Sequence, residues 1–319
     1  MIEKAINSTA SLFLLILLGY LMGGTRTIRE HRGDLVLSHI LANWALPLFI
    51  FYNIYSSFSG RDELLALCKN LPVPFLILAL MLTLGLLTAR IFRIKPTRRG
   101  AFADSNAFAN TSFIGFPIIR TLFGAQALAT GMLYYVANTL LFFTVGTWLL
   151  SRDSGQKVRI FTREGIKKLM STMVIGLILG IAARMIELPL PTFVVSSLSY
   201  FSSVCPCLGM FFVGIIIRQS KIRTDIFFPD MFILLILRYA VTPFVIGAFL
   251  SLLPIAAEVK AIFYILALMP AITQMSIMSQ VLDSDSTFCA LWLTVSSLVG
   301  IAFVPVLVYL LESVFHFIA

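Results

Sequence analysis

A succession of long apolar stretches with short connectors is the feature that most constrains the fold of this 319-residue chain. Each stretch holds about 20 mostly apolar residues, the length a helix needs to cross the hydrocarbon core of a bilayer. Only 12% of the residues are charged, about half the fraction in soluble domains, which excludes a water-soluble fold. We predict an all-α membrane protein with ten transmembrane helices near residues 5–24, 33–56, 71–92, 101–123, 126–150, 167–185, 191–217, 227–252, 257–281 and 286–312.

The distribution of basic residues predicts an orientation in the membrane. Most of the 24 lysine and arginine residues lie in connectors that follow odd-numbered helices. Cytoplasmic connectors carry an excess of Lys and Arg, so we expect these connectors in the cytoplasm and both termini outside. The net charge of +9 then reflects loop topology. No nucleic-acid partner is expected, because the basic residues lie between apolar runs rather than along one face.

Prolines at matching places divide the chain into two similar halves. The second and fourth predicted helices hold Pro47 and Pro117, and the seventh and ninth hold Pro206 and Pro270. Five helices per half is an odd number, so the halves must have opposite orientations. This is typical of inverted repeats with interrupted helices, and we expect helices four and nine to cross at mid-membrane. The predicted units are a first repeat, a cytoplasmic connector and a second repeat at 1–150, 151–166 and 167–319.

The fourth predicted helix is unusually polar for a membrane segment. It contains Asp104, Asn106, Asn110, Thr111 and Ser112, followed by Gly115 and Pro117. Proline lacks an amide donor and clashes with the carbonyl one turn earlier, so Pro117 is expected to interrupt the helix. The freed backbone groups must then bind side chains, water or a substrate. A packed proline kink patched by Asn and Thr is the alternative, but the polar run is denser than a kink requires.

The ninth predicted helix repeats this composition. Thr273 and Gln274 follow Pro270 near its middle. If both helices break at the same depth, the N-terminal ends of their second halves point at the crossing with partial positive charge. Helix N-termini of this kind bind anions such as carboxylates. Asp104 is the carboxylate nearest to the predicted site, and we take it as the candidate for proton coupling.

Three further polar residues lie inside apolar helices. Arg238 is near the middle of the eighth helix, where insertion of an arginine costs about 2.5–3.5 kcal/mol. It is a candidate for binding an anion, and the alternatives are a bond that locks the bundle or a side chain that reaches the membrane surface. Asn43 and Asn138 are lone amides. Each is a candidate for lining the cavity, with an interhelical hydrogen bond as the alternative.

Cys205, Pro206 and Cys207 form a triplet that favours soft metals when it lies in a membrane helix. Metal-pumping ATPases with this triplet need large cytoplasmic domains, and the short connectors here leave no room for one. We therefore expect no metal and no cofactor, with a cysteine-based metal carrier kept as an alternative. The chain also has no zinc-protease or Walker A motif, so we do not expect an enzyme.

The fourth helix resembles that of the auxin efflux carrier family. The resemblance rests on Ser105-Asn106 and on the run from Asn110 to Pro117, and it is supported by Pro47, Pro206, Arg238 with Pro243, and Pro270. It implies ten helices, external termini and a crossover of helices four and nine, in a fold similar to that of bile-acid sodium symporters. It also implies an organic anion as cargo. The short central connector resembles that of the bacterial malate and malonate branch. Plant carriers have a proline directly after the asparagine that matches Asn110, and this chain lacks it.

These observations predict a secondary transporter for a small mono- or dicarboxylate in a bacterial cytoplasmic membrane. The alternatives are an auxin-like efflux carrier and an anion channel or receptor of the same architecture. The expected partners are the organic anion, a proton or sodium ion, the lipid bilayer and a second copy in a homodimer. The candidate substrate-binding residues are Asn43, Asn106, Asn110, Ser112, Phe113, Gly115, Pro117, Asn138, Arg238, Pro270 and Gln274, with Asp104 for coupling.

Overall fold

The computed structural model describes residues 2–30, 33–58, 60–155, 172–219 and 229–318. Within these ranges the regular structure is helical, apart from one isolated antiparallel bridge. Residues 156–166 of the predicted connector lie outside the described residues, as do several of the basic residues in the connectors on which the predicted orientation depends.

The helices follow the predicted apolar runs, with ends that differ by only a few residues. The first are α1 (Ile2–Gly23), α2 (Arg26–Glu30), α3 (Gly33–Ile40), α4 (Leu46–Ser57), α5 (Arg61–Cys68), α6 (Pro72–Ile91), α7 (Arg99–Ala107), α8 (Phe116–Phe123), α9 (Ala127–Leu141) and α10 (Thr147–Asp153). The others are α11 (Thr172–Met185), α12 (Thr192–Gln219), α13 (Pro229–Ile236), α14 (Thr242–Ser251), α15 (Ala257–Ala267), α16 (Thr273–Val281) and α17 (Ser286–Ser313). The short helices α2 and α5 lie in connectors and were not predicted.

Five helical segments are long and apolar enough to cross a membrane by length and composition. They are Pro72–Ile91, Ala127–Asp153, Thr192–Gln219, Pro229–Ser251 and Ser286–Ser313. Large apolar side chains also cover much of the outer surface; Ile91, for example, is 72% exposed and Phe193 is 73% exposed. Such a surface suits lipid rather than water. The prediction of an all-α membrane protein is confirmed, while ten spans and inverted repeats stay predictions.

Three prolines each follow a short π-helical turn. The pairs are Leu41–Ala45 with Pro47, Thr111–Gly115 with Pro117, and Leu237–Val241 with Pro243. A π turn widens the helix by one residue, which makes room for the proline ring. The helical hydrogen bond that the proline cannot donate is then not required. The helix therefore continues through Pro117, and the interruption expected there lies earlier, at residues 108–110.

The helices form two groups by their packing. In one group, α1 packs against α12, and α4 packs against α11 and α12. Gly214 permits the closest of these approaches, because a Cβ atom there would lie 2.1 Å from the carbonyl oxygen of Ile16. In the other group, α6, α7, α9 and α10 pack together, and α9 also contacts α15. The candidate site lies where the second group meets α12.

Candidate functional site

Two helices are interrupted at the same place, and their extended segments bond to each other. We call residues 108–110, between α7 and the π turn that precedes α8, the first break. Residues 268–272, between α15 and α16, are the second break. The bonds between them run from the Asn110 amide to the Pro270 carbonyl (2.7 Å) and from the Ile272 amide to the Phe108 carbonyl (3.3 Å). Each break thus satisfies backbone groups of the other, as burial in a membrane protein requires.

Two asparagine side chains fix the first break. The Asn138 amide group binds both backbone groups of Ala109: its Oδ1 accepts from the N–H at 3.1 Å, and its Nδ2 donates to the carbonyl at 3.0 Å. The Asn110 Oδ1 accepts from the Phe113 amide at 3.2 Å, which caps the following turn. The Asn110 Nδ2 donates to the Thr273 hydroxyl at 3.1 Å and so reaches the second break.

The second halves of both interrupted helices begin at this crossing. The N-terminal end of one is at Thr111 and that of the other is at Thr273. Within the described residues, the backbone amides of Ser112, Thr273 and Gln274 donate to no acceptor. Unpaired amides at a helix start carry partial positive charge. The two helix starts therefore supply donors that belong to the backbone rather than to a lysine or arginine side chain.

The first halves of these helices end at the crossing, and Arg238 binds their ends. Its guanidinium donates to the carbonyls of Asn106, Ala267 (3.0 Å) and Met269. The side chain is 0% exposed. Helix C-terminal ends carry partial negative charge, so a buried cation between two of them is stabilised without a carboxylate partner.

A further set of side chains supports the crossing from the neighbouring helices. Asn106 donates to the Met81 carbonyl at 2.9 Å and accepts from the Thr242 hydroxyl at 3.1 Å. The Ser296 hydroxyl accepts from the Ala271 amide of the second break at 3.1 Å. Asn106 is fully buried by these contacts, which fixes the end of α7.

A cavity of about 160 Å³ lies at the N-terminal ends. This is room for about five waters at 30 Å³ each and is smaller than the cavities that hold drug-sized ligands. Its lining contains no charged side chain among the described residues, and consists of Ala109, Asn110, Thr111, Ser112, Phe113, Tyr135, Asn138, Thr139, Phe143, Phe212, Ile272, Thr273, Gln274 and Ile277. Phe212 comes from α12, and its ring lies 6.2 Å from that of Phe113. The cavity therefore lies between the two groups of helices.

The structure brings five of the predicted site residues to this cavity: Asn110, Ser112, Phe113, Asn138 and Gln274. The others lie outside its lining: Asn43, Asp104, Asn106, Gly115, Pro117, Arg238 and Pro270. Asn43 bonds to His39 in its own helix. Gly115 packs so closely that a Cβ atom would lie 2.6 Å from Leu266. The two breaks are instead held in place, outside the cavity lining, by Asn106, Arg238 and Pro270.

Several lining residues were missed by sequence reasoning. They are Ala109, Thr111, Tyr135, Thr139, Phe143, Phe212, Ile272, Thr273 and Ile277. Thr111 and Thr273 lie in the polar runs and could have been selected by position alone. Phe212 gives no such signal, because it is one of many aromatic residues in apolar helices and only the packing of α12 brings it to the cavity.

Asp104 lies behind the first break, on the buried face of α7. It is 0% exposed, and neither of its carboxylate oxygens has a hydrogen-bond partner among the described residues. A Cβ atom on Gly146 would lie 3.4 Å from its Oδ2. The titratable groups that interact with it electrostatically are Asp153 on α10 and Cys289 on α17.

The cysteine triplet lies in α12, which continues as a helix through residue 206. Cys205 is buried, Cys207 is half-buried, and neither is in a disulfide. Across the described ranges, no three His, Cys, Asp or Glu side chains lie close enough together to hold a metal ion.

Comparison with known proteins identifies the family. The model of the family described as membrane transport protein matches residues 4–310. The chain belongs to this family. The auxin efflux carriers belong to it, so the family resemblance is confirmed, while assignment to the bacterial malate and malonate branch is not.

Two archaeal relatives of this membrane transport protein carry the same general description. An uncharacterised transporter of Methanothermobacter thermautotrophicus is 24% identical over 69% of this chain and 70% of its own length. An uncharacterised transporter of Methanocaldococcus jannaschii is 22% identical over 85% of this chain and 87% of its own length. With the apolar helices, these matches identify an integral membrane transporter.

Proposed function

We propose that this transporter is a secondary carrier that moves a small organic anion with one or two carboxylates by alternating access. The observation that carries the proposal is the meeting of two half-helix N-termini at one small cavity. The free amides belong to Ser112, Thr273 and Gln274, which all line this cavity, and backbone amides at helix starts are donors suited to carboxylate oxygens. The proposed substrate-binding residues are Asn110, Ser112, Phe113, Asn138 and Gln274, with Thr273 added.

The size and lining of the cavity favour a small anion. A volume of about 160 Å³ suits malonate, malate or lactate better than an indole-acetate. The lining offers neutral hydroxyl and amide groups together with helix dipoles, so the anion would be bound without a permanent ion pair. Transport requires release on the far side, and a site without a direct cationic partner holds its anion less tightly.

The position of the cavity supports alternating access between two bundles. Its walls come from the crossing segments, α9 and α16 on one side, and from Phe212 of α12 on the other. Movement of the bundle that holds the crossing against α1, α4, α11 and α12 would expose the cavity first to one side and then to the other. We propose ten spans in two inverted repeats for this arrangement, with both termini outside a bacterial cytoplasmic membrane.

Asp104 is the proposed proton carrier for coupling. An ionised carboxylate without a partner is strongly disfavoured in a protein interior, and Asp104 has no partner among the described residues. We propose that it holds a proton in this state and exchanges it in another state of the cycle. Sodium coupling is the competing hypothesis. Under proton coupling, accumulation of the anion depends on the proton gradient; under sodium coupling, it depends on the sodium gradient.

Transport by purified protein in liposomes tests the proposed function. Labelled malate, malonate, lactate and indole-acetate are supplied under imposed proton, sodium and voltage gradients, with empty liposomes as the control. A carrier is expected to saturate and to show counterflow, whereas a channel would show neither. If no carboxylate moves faster than in empty liposomes, the proposal is wrong.

Asp104→Asn tests the coupling role separately. It is expected to abolish proton-driven accumulation and to leave counterflow, which needs no coupling. The matched control is Asp283→Asn, because Asp283 is an exposed aspartate at the end of α16 and its replacement should change neither measurement. Proton-driven accumulation by Asp104→Asn at the parental level would refute proton coupling through this residue.

A further inference from the structure

A second cavity lies at the end of the bundle, away from the crossing. It has a volume of about 540 Å³ and is lined by the end of α6, the start of α7 and the end of α10. Three of its lining residues are arginines: Arg90, Arg99 and Arg152. Each lies at or next to the end of its helix, so the three charges come together at one level. None of these three forms an ion pair with a carboxylate among the described residues.

The one acidic residue in this lining is Asp153, which interacts electrostatically with Arg152 and is held by the backbone of α7. Its two carboxylate oxygens accept the backbone amides of Gly100 (2.9 Å) and Ala101 (2.8 Å). Those amides belong to the first turn of α7, where partial positive charge offsets a carboxylate. The arginine side chains therefore leave an excess of positive charge in the cavity.

Close helix packing fixes the walls of the cavity, and two of its arginines, Arg90 and Arg152, are exposed. Gly100 permits α7 to touch α10, because a Cβ atom there would lie 2.3 Å from the Leu149 carbonyl oxygen. Arg99 is half-buried, and its Nε donates to the Ile94 carbonyl at 2.9 Å, which fixes the side chain. Arg152 lies over the Trp148 ring at 5.4 Å.

Apolar side chains lead away from the cavity along the outer surface. Leu86 lines it and is 40% exposed, and the neighbouring Leu87 is 52% exposed. Trp148 is 37% exposed at the same end, and tryptophan favours the interface between lipid tails and headgroups. A ligand that fits both features has an anionic head and hydrocarbon tails.

We propose that this cavity binds the phosphate headgroup of an anionic phospholipid such as phosphatidylglycerol, with Arg90, Arg99 and Arg152 as its ligands. The acyl chains would follow Leu86 and Leu87 into the bilayer. Basic pockets between transmembrane helices bind headgroups in this way. The site joins the start of α7, which leads into the first break, to α6 and α10.

Thermal unfolding in detergent, with and without added lipid, tests the proposal. Phosphatidylglycerol is expected to raise the melting temperature of the parent chain, and phosphatidylcholine is not. The triple variant Arg90→Gln, Arg99→Gln, Arg152→Gln should lose this shift, with an apparent affinity that falls by on the order of 100-fold, since each arginine near a membrane surface contributes about fivefold. The matched control replaces Arg26, Arg61 and Arg120 by Gln and should keep the shift.

Two further measurements keep the test decisive. The variant Arg90→Lys, Arg99→Lys, Arg152→Lys keeps the charge and should retain most of the stabilisation even if the Gln variant folds poorly. Inorganic phosphate alone should not compete with the lipid at millimolar concentration. The proposal is overturned if phosphate reproduces the shift, if phosphatidylcholine matches phosphatidylglycerol, or if the control variant loses the shift as fully as the triple variant does.

Discussion

The two breaks bond to each other through their backbones but are held by different chemistry. The first break is fixed by a neutral side chain, because the Asn138 amide binds both backbone groups of Ala109. The second break receives one hydroxyl, that of Ser296 on the Ala271 amide. It also receives a charge, because Arg238 donates to the carbonyls of Ala267 and Met269.

This difference makes the crossing asymmetric. Arg238 comes from the second half of the chain, yet it also binds the Asn106 carbonyl at the end of α7. If the predicted inverted repeat holds, the region of α6 around Leu82 and Thr83 corresponds to it in the first half, and this region carries no charge. One cation therefore binds helix ends from both halves of the chain and stabilises both at once.

Arg238→Met should give the largest effect. It leaves three buried carbonyls without their donor at two helix ends, and each buried acceptor left unpaired lowers the free energy of unfolding by about 1–3 kcal/mol. Thermal unfolding of the purified variant measures this. Arg238→Lys keeps the charge but has fewer directed donors. Its melting temperature should lie between those of the parent and Arg238→Met. An Arg238→Met variant that melts at the parental temperature would contradict a locking role, and one that folds but cannot transport would assign Arg238 a role in the cycle.

Asn138→Leu and Ser296→Ala compare the two breaks directly. The first leaves two backbone groups of Ala109 unpaired and the second leaves one of Ala271. An interhelical hydrogen bond in a membrane protein contributes about 0.6–2 kcal/mol, so Asn138→Leu should destabilise about twice as much as Ser296→Ala. The melting temperatures of both variants, and of the double variant, measure the difference. If Ser296→Ala proves the more harmful, the first break is not held mainly by Asn138.

The sequence predicts the elements well and the crossing only in part. Apolar length and proline position are local signals, so the helix ends fall within a few residues of the expected ones. Pro270 marks the second break because it lies inside it. The first break contains no proline, and Pro117 was a misleading marker for it, because a π turn absorbs that proline. Asn110 and Asn138 carried the real signal, which is an amide at membrane depth.

The roles of polar residues depend on contacts that are distant in the chain. Arg238 is identified as unusual by its cost in a membrane, but only the three-dimensional structure brings it to the carbonyls of Asn106 and Met269, 132 and 31 residues away. Phe212 reaches the cavity through the packing of α12 on the other bundle. Neither relation has a local pattern, so neither could be predicted without the fold.

Asn110→Ala and Thr273→Val test how each break contributes to substrate binding. Asn110 caps the turn that begins at Thr111 and bonds to Thr273, so its loss removes two hydrogen bonds at the cavity. With about 0.5–1.5 kcal/mol for each bond, we expect the KM for the transported anion to rise by about tenfold to a hundredfold. Thr273→Val keeps the shape and should raise KM by about fivefold. Thr121→Val, which removes a hydroxyl bonded within its own helix, is the matched control and should leave KM unchanged.

Pro270→Ala and Pro117→Ala should give the smallest effects, and their order sharpens the comparison. Pro270 lies in the second break, where its ring packs against Gly300 and its carbonyl binds the Asn110 amide. Alanine keeps the carbonyl but leaves a small void. Pro117 follows a π turn that already accommodates it, so its replacement mainly increases the conformational entropy of the unfolded chain, an effect of about 0.4–1 kcal/mol. We expect both variants to transport, with a lower melting temperature for Pro270→Ala than for Pro117→Ala. If Pro117→Ala loses transport but keeps its stability, the resting structure does not need the proline but another state of the cycle does. The π turn itself would then move during transport.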